Sequence, residues 1–276
     1  RLEDYLRGVV PNEIAHGDAA LREAVKAQAV AARTYAIAYR GRYSDEGYDL
    51  LNTVDDQVYT GVGSESANAD RAIEETRGVI ALYRGEAIMM NYSSTCGGHT
   101  SSREEVWDKP PVDYLKGVSD EGGDESFCSG SRYYRCEETW DGAEFWRITR
   151  DNLIREYSLT IPADAVLKEI EVLVKGDSGR VRLIEFRTDK GSFQARGDRI
   201  RWITQRAAGA GPLRSILFEA SSKSSKGRIS QVTFKGRGWG HGVGMCQWGA
   251  MERSRRGQDL RKILEHYYRS IKLAAI

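Results

Sequence analysis

The most regular signal in the chain is a run of apolar and small residues with a helical period. Leu21, Val25, Gln28, Ala32, Tyr35 and Tyr39 follow one another at spacings of three and four, which puts them on one helix face. Ala24, Ala27, Ala29, Ala31 and Ala36 fill the gaps and give high helix propensity with a slim surface for close packing. Asp18 is placed to cap this helix and Gly41 to end it. A short apolar-periodic piece over residues 2–9 precedes it and stops at Pro11. A second helix is expected over residues 69–76, halted by Gly78, with strands at 79–83 and 87–92 around Arg84-Gly85.

Near residue 170 the period changes to two. Ile170, Val172 and Val174 alternate with Glu169, Glu171 and Leu173. Gly176-Asp177-Ser178-Gly179 turns the chain into Val181, Leu183, Ile184 and Phe186, and Lys190-Gly191 turns it again into residues 192–195. That is the pattern of an antiparallel meander. A short capped helix is expected over 198–205, strands over 213–218 and 229–234, and two closing helices over 245–255 and 258–268. Residues 93–149 carry little periodicity and read as long irregular loops with at most a short helix, and the Ser/Lys tract 221–226 reads as an exposed loop. Helices early, strands late and no βαβ alternation predict an α+β fold. Its helical N-terminal part packs on the meander, in one domain over 1–276 with a β-rich subdomain over 165–235.

Composition narrows the function classes. Of 276 residues, 41 are Lys or Arg and 40 are Asp or Glu, a net charge of +1. That balance argues against bulk electrostatic binding of nucleic acid or of an anionic membrane, so no nucleic-acid partner is expected. No apolar run reaches the ~18 residues of a membrane span. The chain opens on Arg1-Leu2-Glu3 without a leader pattern, which fits a cytoplasmic protein or an exported one whose leader is absent from this chain. Glycine is over-represented, at 29 residues, and much of it lies in one segment.

Three segments can carry chemistry. In Val9-Val10-Pro11-Asn12-Glu13-Ile14 a carboxylate sits between apolar neighbours at the entrance to the alanine-rich helix. Desolvation there would raise its pKa and suit it to general acid catalysis; a helix-capping or solvent-facing Glu13 is the plainer alternative. Arg33, within that helix, can point at the same cleft or be a surface side chain. In residues 236–250 glycine stands at every second position from Gly236 to Gly244, with His241 between Gly240 and Gly242. Alternating glycines let backbone approach a ligand or another segment closely. The segment lacks the Gly-Lys-Ser/Thr ending of a phosphate loop, and a tight turn with a satisfied histidine is equally compatible with it. Finally, Cys96-Gly97-Gly98-His99 with Cys128 and Cys136 supplies four nitrogen and sulfur ligands for tetrahedral zinc. A Cys128–Cys136 disulfide or unrelated buried thiols fit the same residues, and Cys246 reads as a small buried apolar residue.

These segments together resemble the SpoIID/LytB family of bacterial sporulation proteins and amidase enhancers. The resemblance rests on Gly8-Val9-Val10-Pro11-Asn12-Glu13, on Lys26-Ala27-Gln28-Ala29-Val30-Ala31-Ala32-Arg33-Thr34-Tyr35, on residues 94–100, on residues 236–250 and on Tyr267-Tyr268. Cys246 departs from it, since family members usually carry serine there, and residues 101–146 diverge most. The resemblance implies an extracytoplasmic lytic transglycosylase acting on peptidoglycan glycan strands, preferring strands stripped of stem peptides. It implies Glu13 as the catalytic acid and Arg33 as its orienting partner or a clamp for the lactyl carboxylate. His241, Gln247, Tyr268 and the backbone of Gly240 and Gly242 would line the sugar cleft, with Trp239 and Trp248 for stacking. The reaction needs no cofactor; a structural zinc would fall to Cys96, His99, Cys128 and Cys136. Amidase-enhancer relatives add a rival expectation, a non-catalytic wall-binding protein whose partner is a cell-wall amidase.

Overall fold

The computed structural model describes residues 1–207 and 211–276. Helix α1 (Leu2–Arg7) is followed by the single turn α2 (Val10–Glu13), with Pro11 in its first turn, where the missing N–H would be unpaired anyway. Asp18 accepts a hydrogen bond from the Ala20 N–H at 2.9 Å. The cap therefore opens a 3-10 turn, Ala19–Leu21, which runs into α3 (Arg22–Ala38). Ser66 caps α4 (Ala67–Glu75). Then come β1 (Val79–Tyr83), β2 (Glu86–Ala87), β3 (Tyr92–Ser93) and the short α5 (Arg103–Val106). Next are β4 (Cys136–Asp141), α6 (Gly142–Tyr157), β5 (Leu167–Lys175), β6 (Val181–Thr188), β7 (Gly191–Arg196) and α7 (Arg199–Thr204). The chain closes with β8 (Phe218–Ser225), β9 (Arg228–Gly236), β10 (Met245–Cys246), α8 (Gln247–Arg255), α9 (Leu260–Tyr267) and β11 (Lys272–Ala275). This is the expected α+β class.

Two hydrophobic cores organise these elements. The first is built from both ends of the chain, from Leu6 to Cys128 and again from Val243 to Ile271. Its centre is α3, whose alanines present only methyl groups, so that α4, α8, α9 and β1 all pack on it. β11 returns antiparallel to β1, with Val79 opposite Ala275. The second core runs from Trp140 to Phe234 and is sequence-contiguous within the first. Its β5-β6-β7 meander is the one the alternation predicts. A register shift between Val172 and Val174 leaves Val174 40% exposed instead of on the buried face.

Several elements correct the sequence reading: β4 lies within the segment expected to be irregular, and the strand expected over 213–218 begins only at Phe218. Helix α6 lies in and beyond the segment expected to be irregular. Asp141 caps it by accepting from Ala143 and Glu144, but its buried face includes Thr149 and Asn152, which blur the apolar period. Ser221 to Ser225, within the tract expected to be an exposed loop, continue β8 and pair with β9 from Thr233 to Arg228. Serine carries no strand signal of its own, and the partner strand supplies the order. The second core also starts earlier than the expected subdomain, because β4 and α6 belong to it.

Candidate active site

A cleft of about 1240 Å³ lies where the two cores meet. Glu13, the last residue of α2, lines it. Val10 and Ile14 are buried in the first core and hold the carboxylate between two apolar anchors. Glu13 Oε1 accepts the Val58 N–H at 2.9 Å, and the Gln247 side chain adds a second hydrogen bond. Burial pushes the Glu13 pKa above the ordinary carboxylate value, and these two hydrogen bonds oppose that only in part. Gln247 opens α8 and is itself held, its Nε2 donating to Gln28 Oε1 of α3 at 3.3 Å. Glu13, Gln247 and Gln28 thus tie the site to the most buried helix.

The glycine segment forms the cleft's floor beside Glu13. Strands β3 and β10 pair in parallel, Met245 with Tyr92 and Cys246 with Ser93, so the segment just before β10 is drawn against residues 91–95. Gly244 makes this approach possible: its φ is +71°, and a Cβ there would sit 2.0 Å from the Asn91 carbonyl oxygen. Gly240 and His241 line the cleft with Trp239. His241 Nδ1 accepts the Val243 N–H at 3.0 Å, and the ring also bonds the backbone of Tyr92. With Nδ1 accepting, Nε2–H donates to the Tyr92 carbonyl. Burial lowers the His241 pKa to about 4, so near neutrality this ring is uncharged and braces the loop rather than moving protons.

Other expected site residues fall elsewhere. Arg33 is fully buried and points away from Glu13, into a bidentate pair with Glu3 at 2.9 and 2.7 Å, with Nη1 on the Val79 carbonyl. It joins α3 to α1 and β1, and does not line the cleft. Tyr268 is also buried; its hydroxyl donates to the Asn91 carbonyl at 2.7 Å and accepts the Met245 N–H, which places it behind the floor. Gly242 packs against buried Arg180, and Trp248 against the first core. All four cysteines are free. Cys96 and Cys128 come within 3.6 Å of each other, but Cys136 sits on β4 opposite Gly236, and His99 Nδ1 turns to the Thr100 carbonyl. The places expected for His99 and Cys136 beside Cys96 and Cys128 are taken by Asp120 and Cys246.

The structure adds walls that spacing along the chain does not reveal. Trp107 lies 4.9 Å from the His241 ring, and Trp107, Trp202 and Trp239 all line the cleft, Trp202 at 39% exposure. Arg182, Arg196 and Arg199 stand exposed on the second core's side. Among the other lining carboxylates, Asp56 accepts from Tyr35, Arg42 and Leu51, Glu105 from Asp177 and Ser178, and Asp198 from Arg201, whereas Asp108 is exposed at the rim. No helix among the described residues is long and apolar enough to cross a membrane.

Fold and cleft together define a class: an α+β protein with a sequestered carboxylate in an aromatic-walled trough between two cores. The SpoIID profile, described as stage II sporulation protein, matches residues 1–83, and a domain of unknown function, DUF8618, matches residues 124–244, a span that contains the second core. An uncharacterized protein of Brachyspira hyodysenteriae is 31% identical over 98% of this chain and 66% of its own length. The amidase enhancer of Bacillus subtilis is 28% identical over 95% of this chain and 39% of its own length. Stage II sporulation protein D of Bacillus subtilis is 26% identical over 99% of this chain and 74% of its own length. The chain belongs to the SpoIID/LytB family, and it spans about two thirds or less of the first two relatives.

Proposed function

We propose that this protein acts on the bacterial cell wall outside the cytoplasm, as a lytic transglycosylase of peptidoglycan glycan strands. The observation that carries the reading is Glu13, a carboxyl group whose pKa burial raises, set in a trough walled by tryptophans. Glycoside hydrolysis needs two carboxyl groups, one as acid and one as nucleophile or base. Transglycosylation needs one. Glu13 donates its proton to the glycosidic oxygen as the bond to muramyl C1 breaks. The muramyl C6 hydroxyl attacks C1, and the Glu13 carboxylate takes its proton as the 1,6-anhydro ring closes. Each proton is accounted for within one residue, and the attacking hydroxyl belongs to the substrate, so proximity replaces an activated water. Tryptophan faces suit pyranose rings, and the exposed arginines of the far wall suit the lactyl carboxylates of strands stripped of peptide.

The test uses peptide-free glycan strands and mass spectrometry. The protein should generate anhydromuramyl ends, and Glu13→Gln should lower the rate by about 10²–10⁴-fold while remaining folded. The likeness to an amidase enhancer over 95% of the chain supports a second reading: a wall-binding partner of a cell-wall amidase. Absence of such ends with the unaltered protein, together with stimulation of an amidase that survives Glu13→Gln, would select it.

A further inference from the structure

Cys96, Asp120, Cys128 and Cys246 come from separate stretches of the chain, yet one ligand atom of each lies within 4.8 Å of all the others. All four side chains are fully buried. We propose that they hold one zinc ion in a closed tetrahedral site behind the floor of the cleft.

The geometry fits. Zinc–sulfur bonds of about 2.3 Å at tetrahedral angles put two sulfurs about 3.8 Å apart, and Cys96 Sγ and Cys128 Sγ are 3.6 Å apart. Asp120 is oriented as metal-binding carboxylates are. Its Oδ1 accepts from Arg253 at 3.0 Å and from the Tyr267 hydroxyl at 2.9 Å, while its Oδ2 faces Cys96 Sγ at 3.4 Å. Four protein ligands with no opening to solvent make a structural site rather than a catalytic one.

Charge gives an independent argument. Arg180 is fully buried, donates only to the carbonyls of His99 and Cys96, leaves its Nε without a hydrogen-bond partner, and has no carboxylate in ion-pair range among the described residues. A guanidinium in that position is costly unless negative charge lies close by. Three thiolates and one carboxylate around a divalent cation leave two negative charges, and Arg180 with Arg253 balance them. Three neutral thiols packed as small apolar residues would leave Arg180 only the Glu105 carboxylate, which lies beyond ion-pair range. The sulfur-rich donor set selects zinc over oxygen-seeking cations.

The site would pin the irregular loop before β4 to the paired strands β3 and β10. Cys96 follows β3, Asp120 and Cys128 lie in the loop before β4, and Cys246 ends β10 and precedes Gln247, the hydrogen-bond partner of Glu13.

Metal content of the purified native protein tests this directly. Elemental analysis should find about one zinc per chain, retained through gel filtration, and cobalt substitution should give thiolate-to-metal charge-transfer absorption. Cys246→Ser and Asp120→Asn should weaken zinc binding by at least about tenfold, whereas Cys136→Ser and His99→Ala should retain the full complement. No stoichiometric metal after zinc is offered to the reduced native protein would overturn the proposal, without reference to any variant that fails to fold. A Cys96–Cys128 disulfide in native protein, detected by mass spectrometry, would overturn it as well. Iron in place of zinc at one ion per chain would overturn the choice of metal.

Discussion

Glu13 and Arg33 show how far a residue type in a motif determines its role. For Glu13 the flanking Val10 and Ile14 already encode burial, and the structure supplies the two hydrogen bonds that position the carboxyl. For Arg33 the motif carries no information about its partner, because the helix face it occupies turns toward α1, where Glu3 meets it. The raised pKa of Glu13 has a signed consequence. A carboxyl whose folded pKa lies above its unfolded value binds its proton more tightly when folded. Its contribution is therefore complete below the ordinary carboxylate range and is lost as pH rises through the raised pKa. Glu13→Gln, neutral at every pH, should raise the melting temperature near neutrality, and the gain should shrink toward zero as pH falls below the ordinary carboxylate range. Thermal unfolding across that pH series checks it; an equal melting temperature at neutral pH would mean that burial does not strain this carboxyl.

Among elements, the pair β3–β10 places the chemistry, and Gly244 controls it. A Cβ there meets backbone, the Asn91 carbonyl, and so cannot be relieved by a side-chain rotation. Gly244→Ala should destabilise the fold by about 3 kcal/mol or more, combining left-handed strain with overpacking. Gly227→Ala, at a turn where φ is also positive but nothing lies within 4 Å, should cost about 1 kcal/mol. Urea unfolding of the two variants checks the contrast, and similar losses at both sites would remove the close approach from the argument. Element type was legible wherever one period ran unbroken, as in α3 and the β5–β7 meander. It was illegible in α6, where Thr149 and Asn152 face inward, and in β8, where serines are ordered by pairing alone.

At the scale of the molecule, the trough exists because two cores meet along one seam. Glu13, Trp107 and the glycine segment line the trough from segments that pack in the first core, and Trp202 and the arginines from the exposed faces of elements that pack in the second. A glycan strand in the trough should therefore slow amide hydrogen exchange in both walls together, over residues 54–58 and 104–108 on one side and 196–202 on the other. Protection confined to one wall, read by mass spectrometry with and without peptide-free strands, would place the strand elsewhere.

The sequence by itself determined the central helix, the meander, the run of close-approach glycines and the apolar frame around Glu13. Each is written in residues a few positions apart, where periodicity and backbone preference act directly. Only the tertiary structure decided that Arg33 pairs with Glu3, that Tyr268 backs the floor instead of lining it, and that Cys246 and Asp120 join Cys96 and Cys128 in place of Cys136 and His99. Those partners are separated by tens to more than a hundred positions in the chain, and no local pattern fixes a meeting that depends on how the chain's two ends close around one core.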